Sequence, residues 1–119
     1  MKKVTIKVGM LATELGYRDG SNLWIFKSKN GDLYGTNTRG GISGKEKTFK
    51  QPTQSELQTW LRKRGIEVYV VPVYFNDDVI GYYSMVKWVS GNTLKTKKTY
   101  ERAMEDGLLL ALKHLKIKA

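Results

Sequence analysis

Arg39, Lys45, Lys47 and Lys50 stand in a run over residues 39–51, RGGISGKEKTFKQ, whose composition suits the capture of an anion. Glycines let the backbone turn its amides toward a phosphate or carboxylate, and lysines supply the charge. The run is not a nucleotide P-loop. Gly40 and Gly44 are one residue too close, Glu46 follows Lys45 where Ser or Thr is required, and TFKQPT comes next instead of a helix. It reads as a loop, either an anion cradle or a plain surface segment. Arg62, Lys63 and Arg64 form a second basic group, and Lys87 with Lys95, Lys97 and Lys98 a third. Trp24, Tyr34, Tyr69, Tyr74, Tyr82, Tyr83 and Trp88 fall on expected strands between these groups. Charge interleaved with ring faces is what a single-stranded nucleic acid requires. Tyrosines on a sheet serve equally as core or as dimer surface. The candidate anion-binding residues are therefore Arg39, Lys45, Lys47, Lys50, Lys87, Lys95, Lys97 and Lys98.

Catalytic chemistry has little to stand on. His114 is the one histidine, it lies among lysines near the end of an amphipathic segment, and nothing nearby completes an acid–base pair or a metal site. Asp77 and Asp78 are neighbours in a turn, while Glu101, Glu105 and Asp106 are spread along one helix, so no set of carboxylates converges from separate elements as a two-metal site needs. With no cysteine, thiolate chemistry, disulfides and Cys-type zinc are excluded. No enzyme activity, metal or cofactor is expected.

The balance of 21 basic against 11 acidic residues, a net charge of +10 on 119 residues, favours anionic partners. Nucleic acid is the first choice. An inhibitor or sponge for a protein or a nucleotide signal is the alternative, and lysines dispersed for solubility alone would explain the charge as well. MKKVTIKVGM lacks the apolar run of a signal peptide, and no stretch is long enough to span a membrane. A cytoplasmic place is expected.

The elements that must position these groups are centred on residues 52–75. Thr53 and Glu56 have capping-box spacing, Leu57, Trp60 and Leu61 share a helical face, and Gly65 after three cations is a helix stop. A strand follows over 66–75. It is apolar on both alternations from Val70, and Pro72, which cannot donate to a ladder, marks it as an edge or a bulge. Self-association through this strand or its hairpin is expected. Asn76, Asp77 and Asp78 make the turn, and 79–89 returns as its partner. Thr99 then caps a last helix whose stripe is Tyr100, Met104, Leu108, Ala111, Leu112 and Leu115.

Upstream, Val4, Ile6, Val8 and Met10 alternate as in a strand, yet Val8, Leu11, Ala12 and Leu15 fit a helix stopped by Gly16. The helix, over about 7–15 with an extended lead-in, is preferred. LWIF, the Asn30-Gly31 turn and residues 33–38 read as a hairpin. Together these give one α+β domain over 1–119, of order α-β-β-α-β-β-α, with one antiparallel sheet of two hairpins and helices packed on one face.

Four segments carry a resemblance: ELGY closing the first helix, PTQSELQTWLRKRGIEVYV, VIGYYS and KTYERAMEDGLLLALKHLK. Together they resemble a group of small uncharacterised proteins of phages and prophages of gut Bacteroidales bacteria. That group has a PTQ-initiated helix with a central tryptophan, a Tyr-rich hairpin and a final helix of the YEEALEAGLLEALK type. The correspondence covers about the last 70 residues and not the first 50. It implies a phage-derived accessory protein, brings no assigned activity, and marks Gly107 as a place of close helix packing.

Overall fold

The computed structural model describes residues 3–17, 24–27, 33–36, 48–87 and 96–118. The elements are α1 (Ile6–Glu14), β1 (Trp24–Lys27), β2 (Leu33–Thr36), β3 (Thr48–Lys50), α2 (Gln54–Arg62), β4 (Glu67–Phe75), β5 (Asp78–Lys87) and α3 (Tyr100–Lys118). The class is α+β.

Two features differ from the sequence expectation. Residues 48–50, read as the end of a basic loop, form β3, which pairs antiparallel with β1 so that Trp24 faces Lys50 and Ile25 faces Phe49. Thr-Phe-Lys is β-prone, and the Lys50 amide is anchored from outside the sheet by Thr13 Oγ1 at 2.9 Å. The glycines and lysines preceding it masked that short signal. The described strands also fall into two sheets, β2-β1-β3 and the β4-β5 ribbon, where one sheet was expected. α1 packs against all three strands of the first sheet and against α3, and α3 packs on both strands of the ribbon, on α2 and on α1.

Local chemistry explains each boundary. Thr5 caps α1, its hydroxyl accepting from the Val8 amide at 3.3 Å. The preceding residues are extended: the Val4 amide donates to the Pro52 carbonyl at 3.0 Å, and Gln51 Nε2 donates to the Val4 carbonyl at 2.9 Å. The helix period therefore holds from Ile6, and of the alternating stretch only the extended lead-in remains, with a single bridge from Lys3 to Thr53. In α2 the capping box closes, with Glu56 accepting from the Thr53 amide at 2.8 Å and Thr53 Oγ1 from the Glu56 amide at 3.2 Å. Both helices stop alike. Gly16 (φ 107°) and Gly65 (φ 83°) reverse the chain, and the next residue's amide reaches back to a carbonyl five residues earlier, Tyr17 to Ala12 and Ile66 to Leu61. Tyr17 and Ile66 then drop into the core.

The core joins Val4, Val8 and Ala12 to Leu57, Trp60 and Leu61, to Val68 and Val86, and to Met104, Leu108, Ala111 and Leu112. Tyr17 meets Trp60 edge-on at 5.7 Å, and the Arg64 guanidinium carbon lies over that ring, 3.6 Å from its centroid. α3 crosses the ribbon at Gly107, where a Cβ would sit 2.8 Å from Ser84 Cβ and Val68 Cγ1, so the close approach requires glycine. Tyr100, expected on the buried stripe, is exposed at the start of α3, with its ring edge on Tyr82 at 6.2 Å. Thr99 caps this helix, its hydroxyl accepting from the Arg102 amide at 3.2 Å.

Candidate functional site

Of the eight expected anion-binding residues, Arg39, Lys45, Lys47 and Lys95 lie outside the described residues. Lys50, Lys87, Lys97 and Lys98 are described. Lys50 ends β3 beside α1, and Lys87 ends β5 opposite Glu67. Lys97 bridges Tyr82 through two backbone hydrogen bonds of 2.8 and 2.7 Å, and its Nζ sits 3.2 Å from Asp106 Oδ2 on α3. Its charge straps the connector to the helix. Tyr82 and Lys87 are five residues apart, about 17 Å along the strand and on opposite faces, so Lys97 and Lys87 serve different surfaces. Lys98 is exposed. In the second basic group, Arg62 pairs with Glu67 at 3.1 Å and Arg64 stacks on Trp60, which makes both structural.

What the fold does assemble is a groove of about 670 Å³ between α1 and α3. Ile6, Met10 and Leu11 from α1 and Leu109 from α3 line it with apolar surface, and Lys7, Lys113, Lys116 and Glu14 stand around it. The apolar residues are half-buried and the four charged ones exposed. On α3, Leu109, Lys113 and Lys116 follow i, i+4, i+7 and share a face. On α1, the Ile6–Met10 row lies beside the Val8–Ala12 row that enters the core. Three ammonium groups against one carboxylate, over an aliphatic floor, suit an anion with an apolar body. No group of His, Asp or Glu among the described residues could hold a metal ion.

A second, more polar cavity of about 400 Å³ lies where the starts of the helices meet, among Lys3, Thr5, Gln54, Thr99 and Arg102. Its natural ligand is already built in. The Glu105 carboxylate accepts from the Thr5 amide at 3.2 Å and from Thr5 Oγ1 at 3.0 Å, and Gln54 Nε2 donates to it at 3.4 Å. α1 has no acid in its own first turn, so α3 supplies the anion that its positive end favours.

The ribbon adds a third surface. Val68 and Ser84 point at α3, so by alternation Tyr69, Val71, Tyr83, Met85 and Lys87 face the other way. Tyr69 is exposed there and Tyr83 half-buried. The side chains of Trp24 and Tyr34, and all of Trp88, lie outside the described residues. No helix among the described residues is long and apolar enough to cross a membrane. No protein-family model, curated protein or solved structure matches this chain.

Proposed function

We propose that this chain is a non-catalytic binding protein for an anionic partner and that the groove between α1 and α3 is its seat. The observation that carries this reading is the ring of Lys7, Lys113 and Lys116 around a floor of Ile6, Met10, Leu11 and Leu109. Nucleic acid is the foremost partner class. A net charge of +10 attracts a polyanion at long range, and Tyr69 and Tyr83, with Lys87 at the end of the same ribbon face, add stacking surface. The likeness to Bacteroidales phage proteins supports an accessory role in the cytoplasm of a bacterial host. A second reading, capture of an acidic segment of a host protein, is favoured by one feature: among the described residues the groove floor has no aromatic ring on which to stack a base.

Titration of single-stranded and duplex oligonucleotides over a range of salt tests this. Replacing Lys7, Lys113 and Lys116 with glutamine is expected to make the slope of log affinity against log salt shallower by about 2 to 3. Binding that is absent at low salt removes nucleic acid and leaves the acidic protein segment as partner. Binding that is present but indifferent to the triple replacement removes the groove.

A further inference from the structure

The far end of the β4–β5 ribbon is the most apolar exposed surface among the described residues. Tyr74 is 63% exposed, Phe75 65%, Val79 44% and Ile80 58%, within one hairpin tip. Scattered apolar side chains on a surface are ordinary; here four large ones gather at one tip, Tyr74 opposite Val79 on one face and Phe75 on the other. The tip has a defined turn. Asn76 and Asp77, at φ 47° and 67°, form the two-residue turn that suits strand twist, and the register shift between Val73 and Tyr74 bends the ribbon just before it.

Its charge is opposite to the body's. Between Arg64 and Lys87 the chain has no cation, while Glu67, Asp77 and Asp78 are acidic, in a protein of net +10. Asp77 and Asp78 are exposed beside the apolar tip. An apolar patch with two carboxylates complements an apolar groove ringed by three ammonium groups.

The tip cannot reach the groove of its own chain. Tyr100, at the start of α3, packs on Tyr82, and Gly107 packs on Ser84, so the ribbon points past the N-terminal end of α3. Lys113 lies thirteen residues further along the helix, about 20 Å away in the opposite direction. Pairing by strand edges is blunted too. Tyr82 spends its backbone bonds on Lys97, so Pro72 opposite it presents its ring nitrogen outward, and that edge lacks a donor there. Two rungs away, the outward carbonyl of Val68 accepts from Gln58 Nε2 at 2.6 Å.

We propose that the acidic, apolar ribbon tip of one copy seats in the α1/α3 groove of a second copy. The contact joins two different surfaces, so copies form a closed ring or an open string. It shares its groove with the proposed function without resting on it, and self-association masks the groove from other anionic partners.

Sedimentation of the full chain without nucleic acid tests this, using a tip variant, Phe75→Ser with Ile80→Ser, and a groove variant, Lys113→Glu with Lys116→Glu. Wild type is expected to associate at high micromolar concentration and each variant to be monomeric. An equimolar mixture of the variants is expected to stop at a dimer, because it contains one intact tip and one intact groove. A second tip variant, Asp77→Asn with Asp78→Asn, keeps the turn and is expected to weaken wild-type association by up to about tenfold while reducing its salt dependence. Monomeric wild type, a groove variant that self-associates as wild type does, or no salt-dependent loss in the Asp variant would each overturn the proposal.

Discussion

The two halves of the β4–β5 ribbon are made of the same kinds of residue and meet different fates. In the near half, Val68, Ser84 and Val86 are buried beneath α3. In the far half, Tyr74, Phe75, Val79 and Ile80 stand in solvent. The difference is one of cover. α3 comes close enough to close the near half because Gly107 lacks a side chain, and it begins at Tyr100, level with Tyr82, so the tip extends beyond it. An apolar strand records a demand for burial without saying whether the chain's own helix or another molecule meets it.

The sharpest way to break this comparison is to remove cover from the near half. Leu112 is fully buried in α3, and Leu112→Ala is expected to cost about 2–5 kcal/mol; near-native stability in chemical denaturation would contradict its place in the core. Gly107→Val should cost about 1–3 kcal/mol, since the added methyls must push α3 off Ser84 and Val68, and thermal unfolding reads the loss directly. Thr53→Ala removes the hydroxyl of the capping box and should cost about 1 kcal/mol in the same assay. The far half supplies the contrast: Phe75→Ser and Ile80→Ser together are expected to change monomer stability by less than about 0.5 kcal/mol per site while abolishing self-association. A large loss of monomer stability from the tip pair would mean that the tip is covered within its own chain.

Much of the helical cover of the near half was legible because its signals are local. Thr53 with Glu56, Gly65 after three cations and the Leu108–Leu112 stripe each declare themselves within a few residues, and all three hold in the structure. Thr53, Trp60 and Gly107, three of the residues on which the expected likeness to phage proteins rests, are a cap, a core ring and a close crossing. They speak for the fold.

The candidate site was much less legible, for a physical reason. Lys113 and Lys116 suit the end of a helix dipole wherever that helix lies, and they become a rim only once α1 docks beside them. Glu105 likewise reads as an ordinary helix acid until the fold brings Thr5 to it across 100 residues of sequence. Lys97 stood among the anion-binding candidates because nothing local announces Asp106 as its partner. β3 was hidden by neighbours whose composition, averaged over the run, outweighs three residues.

Side-chain methyl NMR on dilution tests the central claim, that the uncovered tip finds its cover in the groove of another copy. As concentration falls, the methyl signals of Val79 and Ile80 at the tip and of Ile6, Leu11 and Leu109 in the groove are expected to shift together along one binding curve, with Val68 and Val86 unmoved. Tip methyls that shift while the groove methyls stay still, or signals from neither surface that respond to concentration, would contradict it.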